Sequence, residues 1–208
     1  MLLEFDRSSP GGPDLECRVV TDIPVSELLE RAALGERAAW DALVDRYSSL
    51  VWSVVRSFRI DNAAAADVTQ TVWLRLVEHC GRIREAERLP GWLATTARNE
   101  ALRVITKQQR QLPTEFEFDL PDSSAPSLED RLVDDEVQRA ALRAFARLPE
   151  PARQLMSLLC ADPALDYSTI SEIIGRPVGS IGPTRARIVE RLRTMMAEEL
   201  GEQRGFRA

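Results

Sequence analysis

Three stretches of this chain repeat their apolar residues at the spacing of one helical face, and none alternates with period two, so an all-α fold is expected. Between Glu36 and Phe58 the apolar positions are Trp40, Leu43, Val44, Tyr47, Leu50, Val51, Val54, Val55 and Phe58. Between Ala63 and Cys80 the inner positions are Val68, Val72, Leu76 and Cys80, with Asp61 or Asn62 as an N-cap and Gly81 as a stop. A third helix opens near Pro90, which a first turn tolerates, and directs Leu93, Ala97, Ala101, Val104 and Ile105 inward.

A second helical unit starts near Leu132, runs through Leu142 and Phe145, pauses at Leu148-Pro149 and resumes through Leu155, Met156 and Leu159. The segment Tyr167-Ser168-Thr169-Ile170-Ser171-Glu172-Ile173-Ile174 then leads through Gly175-Arg176-Pro177 into a long helix from about Ser180 to Leu200. A short helix, a glycine-bearing turn and a long basic helix form a helix-turn-helix pattern. In this reading Ser180 is the N-cap of the last helix and Pro183 falls in its first turn. Residues 1–24, with Ser8-Ser9-Pro10-Gly11-Gly12-Pro13, are expected to be a flexible tail. Residues 113–131 hold three prolines and alternating acids and read as an acidic flexible linker that self-repulsion keeps extended. The expected organisation is therefore two small helical domains, 25–112 and 132–208, joined by that linker.

The net charge of −6 hides a segregation. From Arg82 to Gln111 seven cations face three acids, and from Arg176 to Arg193 five arginines face Glu190 alone. Between these islands, Pro113 to Glu136 carries nine carboxylates against Arg131. Basic islands of this kind mark nucleic-acid contact more reliably than the sum does. The chain has one histidine and no glycine-rich phosphate loop, nucleophile elbow or paired metal-ligand motif, so no enzyme, catalytic residue, cofactor or metal is expected. Cys17, Cys80 and Cys160 are too scattered for a disulfide framework or zinc module, and His79-Cys80 has no partner pair. The start of the chain lacks a secretory pattern and no apolar run approaches the ~20 residues of a membrane span, so the expectation is a cytoplasmic protein without membrane insertion.

Two stripes are candidates for DNA contact. Asn99, Arg103, Lys107 and Arg110 follow one another at helical spacing on the third helix, as cations that hold phosphates would. A solvated helix face explains the same charges equally well. Trp92 is either a platform for an unpaired base or, more often at this spacing, core. On the last helix Ser180, Thr184, Arg187 and Arg191 share a stripe beside Ile181, Ile188, Leu192 and Met195. A recognition helix reads bases with its N-terminal residues and holds phosphates farther along.

Three segments carry a family resemblance. Asp67-Val68-Thr69-Gln70-Thr71-Val72-Trp73-Leu74-Arg75 resembles the helix with which bacterial sigma factors grip the RNA polymerase clamp. Gly91-Trp92-Leu93-Ala94-Thr95-Thr96-Ala97-Arg98-Asn99 is similar to the start of their −10 recognition helix. Pro177-Val178-Gly179-Ser180-Ile181, ahead of an arginine-rich helix, resembles their −35 reader. The resemblance covers about Ser26 to Met196, in family order, and matches the two-domain extracytoplasmic-function group. It implies a factor that binds core RNA polymerase, recognises and melts promoter DNA to start transcription, and is commonly held by an inhibitory anti-sigma protein. It implies polymerase contact at Asp67, Gln70, Thr71 and Leu74. The DNA-contacting set is then Trp92, Arg98, Asn99, Arg103, Lys107, Arg110, Ser180, Thr184, Arg185, Arg187 and Arg191. The family usually has an acid where Thr71 stands, and Thr-Val-Lys-Ser-Arg where this chain has Ser180-Ile181-Gly182-Pro183-Thr184, so two cations are missing at the reading end. The rivals are a stand-alone helix-turn-helix regulator that binds DNA without polymerase, and a helical adaptor that never touches DNA.

Overall fold

Helix α1 (Val25–Ala33), which the sequence reading does not anticipate, opens the chain of a computed structural model that describes residues 23–111 and 136–206. Leu28, Leu29 and Ala32 form its buried face. Gly35, at φ +86°, makes the turn that ends it. Trp40 Nε1 donates to the Ala32 carbonyl at 3.0 Å, and Arg31 pairs with both Glu27 and Glu36. That pairing holds the Glu36 carboxyl below its ordinary range.

Helix α2 (Arg37–Arg56) buries Leu43, Tyr47, Leu50, Val51, Val54 and Val55, the stripe expected from spacing. Helix α3 (Asn62–His79) is capped by Asp61, whose carboxylate accepts the Ala64 N–H at 2.9 Å. Val68, Val72 and Leu76 are buried along it, and Cys80 is buried just past its end. Two short 3₁₀ turns, Cys80–Arg82 and Ala86–Arg88, lead into α4 (Leu89–Gln111). Leu93, Ala94, Ala97 and Ala101 on α4 are fully buried, and the three alanines let it lie close against α2 and α3. Val104 and Ile105, expected inside, are only half-buried as the helix runs out beyond the bundle.

The second unit holds α5 (Glu136–Ala146), α6 (Glu150–Leu159), α7 (Tyr167–Ile174) and α8 (Val178–Phe206). Asp166 caps α7, accepting the Thr169 N–H at 2.7 Å, and Gly175 closes it in the left-handed region at φ +66°. The break at Leu148-Pro149 and the short-helix, turn, long-helix order appear as expected. The start of the last helix does not. It begins at Val178, so Ser180 lies inside the first turn, its hydroxyl donating to the Pro177 carbonyl at 2.7 Å, and does not cap the helix. Pro183 is then the sixth residue of the helix and costs it a hydrogen bond, leaving the Gly179 carbonyl without its donor four residues on. The tail over residues 1–22 and the linker over 113–131 lie outside the described residues. Among the described residues there is no strand, and no helix is long and apolar enough to cross a membrane.

Helices α5 and α8 pack together, and Glu199 on α8 pairs with Arg143 at 2.7 Å and Arg147 at 3.3 Å on α5. The Arg143 hydrogen bond is the main cause that holds the Glu199 carboxyl below its ordinary range. A carboxyl whose folded pKa is depressed stabilises the fold above its unfolded value, about 4.3, and loses that contribution as pH falls through the folded value. Glu199→Gln should therefore lower stability at pH 7 by about 1 kcal/mol or less, because both arginines are half-exposed, and should flatten the loss of stability on acidification below pH 4.3. Urea titrations across that range measure both effects. A variant whose acid dependence matches the parent's would contradict the pairing.

The two units also touch. Helix α6 packs on α2, and α7 packs on the start of α4. Arg153 of α6 is buried in that contact, its Nε donating to the Ser57 carbonyl at the C-terminus of α2 at 3.0 Å and its Nη1 to the Leu148 carbonyl. A cation at a helix C-terminus complements the helix dipole. Burial, with Arg59 adding repulsion, lowers the Arg153 guanidinium to about 10, so it remains charged at neutral pH.

Candidate nucleic-acid interface and an apolar groove

Helix α3 has two faces. Val68, Val72 and Leu76 point into the bundle, while Asp67, Gln70 and Leu74 are exposed. Thr71 is half-buried, its hydroxyl donating to the Asp67 carbonyl at 2.8 Å and so turned back on its own helix. The outer face is not purely polar. Leu74 is 56% exposed and Val77 54%, and both line a groove of about 440 Å³ with Trp52, Ala66, Thr69, Gln70 and Trp73. Trp52 comes from α2, where it stands off the buried stripe, and the Arg56 guanidinium lies over its ring at 5.8 Å. The sequence reading places Gln70 and Leu74 at this surface but misses Trp52, Trp73 and Val77. The signal available was an apolar ring outside the core-facing positions of its helix. An open, nearly all-apolar groove on a helical bundle suits a protein partner.

Helix α4 carries the first cationic stripe. Asn99, Arg103, Lys107 and Arg110 are all exposed, and Arg103, Lys107 and Arg110 share a shallow groove with Leu102 and Thr106. Arg103 is partly neutralised, with its Nη1 3.0 Å from Glu100, which also pairs with Arg75 of α3 at 2.8 Å. The Glu100 side chain is 13% exposed, held between the two helices, while that of Arg103 is 67% exposed. Arg103 is the exposed member of this pair, and Arg75 still faces Glu100 when Arg103 turns away, so a phosphate can draw Arg103 off without leaving Glu100 unpaired. Arg98 is half-buried, and its Nε, out of water, has no hydrogen-bond partner among the described residues. Trp92 is half-buried against the core, its ring 6.0 Å from that of His79, so it is anchored within the bundle while keeping an exposed part.

On α8, Ser180 and Thr184 are half-buried and Arg185, Arg187 and Arg191 exposed. Ile181 and Ile188 are buried beneath them. Arg187 folds back along the stripe, its Nη2 3.4 Å from the Thr184 hydroxyl and its Nε 3.4 Å from the Pro183 carbonyl. Arg185 reaches the Tyr167 hydroxyl of α7 at 3.5 Å, joining the two helices of the motif. Among the described residues nothing lies within 4 Å of where a Cβ on Gly179 or Gly182 would stand, so the start of α8 presents bare backbone. Among the described residues no cluster of histidine, cysteine or carboxylate side chains is placed to hold a metal.

The chain matches the family model for sigma-70 region 2 over residues 43–111. It is 26% identical to the RNA polymerase sigma-H factor of Pseudomonas aeruginosa over 171 residues, covering 78% of this chain and 86% of that protein. The ECF RNA polymerase sigma-E factor of Haemophilus influenzae is 27% identical over 184 residues, covering 83% and 93%. The fold resembles that of CnrH, solved in complex with the cytosolic domain of CnrY, with a TM-score of 0.55 at 17% identity, covering 83% of this chain and 97% of that one. It also resembles the sigma factor RpoE from Bartonella quintana, solved with the anti-sigma factor NepR, with a TM-score of 0.53 at 17% identity over 76% and 97%.

Proposed function

The chain belongs to the sigma-70 family of RNA polymerase sigma factors, in its extracytoplasmic-function group, and from that premise we propose how its surfaces divide the work of initiation. The α2–α3 groove, with Asp67, Gln70, Thr71 and Leu74 on or beside it, binds core RNA polymerase. The α4 stripe of Asn99, Arg103, Lys107 and Arg110, with Trp92 and Arg98 toward its start, engages the −10 element. Helix α8 enters the −35 element with Ser180 and Thr184 leading and Arg185, Arg187 and Arg191 along the phosphates. The first helical unit corresponds to residues 25–112, the second to 132–208, and 113–131 is the tether between them. The chain acts by binding and carries no catalytic step. An inhibitory protein partner belongs to the same reading, since the RpoE neighbour was solved with an anti-sigma factor.

The observation that carries this reading is a coincidence of surfaces. The sigma-70 region 2 match spans both the apolar groove and the cationic stripe, two outward features that a bare helical bundle would not need. Gel filtration with core polymerase, followed by promoter binding with and without it, is the test. The chain should co-elute with core enzyme and bind promoter DNA at least tenfold more weakly alone than in the complex. Tight, specific binding by the free chain would favour the stand-alone regulator.

A further inference from the structure

We propose that His79 is a positioning residue for Trp92, fixing the indole so that its exposed part meets an unpaired base when the −10 element opens. The inference rests on the sigma-factor reading, which puts Trp92 at that element, and adds a residue that this reading does not use. The contact joins two helices. His79 is the last residue of α3, and Trp92 lies in the first turn of α4. Their ring centroids are 6.0 Å apart and their planes are tilted by 41°, a separation at which aromatic rings attract. The imidazole is itself held. Its Nδ1 donates to the Arg75 carbonyl at 2.8 Å, one turn back on α3, as a histidine near a helix C-terminus can.

Both side chains are half-buried, so the pair sits at the rim of the bundle and not in its core. Trp92 has few other restraints on its ring. Trp40 is tied by its Nε1 to the Ala32 carbonyl, whereas the Nε1 of Trp92 has no hydrogen-bond partner among the described residues. Arg75 braces α4 at two places from one turn of α3. Its carbonyl holds the imidazole that bears on Trp92, and its guanidinium pairs with Glu100 at 2.8 Å, eight residues farther along α4. An indole that stacks on a base does so best when fixed beforehand, because the freedom it would lose on binding is already gone. A histidine that merely ended α3 would need only the Nδ1 bond. Substitution separates the two roles.

Full-length chains bound to core polymerase are compared on a promoter that the parent holoenzyme selects, with 2-aminopurine in place of one −10 base to report opening. His79→Phe keeps a ring against Trp92 and should open at least about half as much promoter as the parent. His79→Asn keeps a nitrogen near the Nδ1 position, and so the bond to Arg75, without the ring. It should open about fivefold less promoter, as should His79→Ala, a loss at the low end of what one base stack is worth. Because His79 acts through Trp92, adding His79→Ala to Trp92→Ala should lower opening by less than about a further twofold. On a template whose −10 element is already mismatched, saturating holoenzyme should transcribe equally well with every His79 variant, since no pair has then to be broken. Opening by His79→Asn equal to the parent's, losses that multiply in the double variant, or an equal deficit on the mismatched template would assign His79 to the stability of α3 and overturn the proposal. A parent chain that opens no promoter with core polymerase would sink the sigma-factor reading and this inference with it, whereas those three outcomes leave that reading standing.

Discussion

Leu74→Glu should abolish association with core RNA polymerase, weakening it at least 100-fold, while leaving thermal stability within about 0.5 kcal/mol of the parent. The side chain is 56% exposed and touches the groove from its rim, so the free protein has little to lose. In the complex the same position would bury an unpaired carboxylate among Trp52, Trp73 and Val77, at a cost of several kcal/mol. A hundredfold loss needs only about 2.7 kcal/mol. Asp67→Arg, at the polar margin, should have a smaller effect that grows as salt is lowered, because exposed charges steer encounter more than they hold the complex. Binding curves with fluorescently labelled core enzyme give both values. Undiminished binding by Leu74→Glu would mean that the groove serves another partner.

The second large effect separates the two stripes proposed to contact DNA by what each would read. Phosphate contacts release counterions, at about −0.9 per neutralised phosphate on duplex DNA and −0.7 on single strands, and are blind to sequence. Arg103→Ala and Lys107→Ala should therefore weaken holoenzyme binding to all promoters alike and flatten its salt dependence. Lys107 should show the larger change, since Arg103 must first leave Glu100. Thr184→Ala should instead change the ranking among −35 sequences, by roughly 1–3 kcal/mol per affected base pair. It also frees Arg187, which leans on the Thr184 hydroxyl, so the shift should include positions next to the one Thr184 faces. Promoter selection at two salt concentrations reads both effects. A Thr184→Ala variant that keeps the parental ranking would mean that α8 docks on the backbone alone.

Much of this was legible in the residues because it is local. Helix α2 shows its buried stripe in its spacing, and Asp61 announces α3 as a cap does, by a short acceptor just before an apolar periodic run. The α4 stripe is exposed as its spacing requires. What the sequence hid is mostly tertiary. Helix α1 has nine residues, too few turns for its period to stand out, and is held by Trp40 and by the Arg31–Glu36 pair from outside it. Ser180 and Pro183 have the chemistry of a cap and a first-turn proline, yet the helix starts earlier, at Val178. Arg153 looks like any arginine on an amphipathic helix, and only the fold brings it to the end of α2, ninety-six positions away from Ser57. Glu100 gives no sign in sequence that it is shared by Arg75 and Arg103.

Run-off transcription from a library of genomic fragments, with purified core polymerase and with or without this chain, tests the central claim most directly. Adding the chain should produce discrete transcripts from a small set of fragments sharing elements near −10 and −35, and Leu74→Glu should remove them all. Transcripts that do not depend on the chain, or fragments bound as tightly by the chain alone as with polymerase, would contradict that claim.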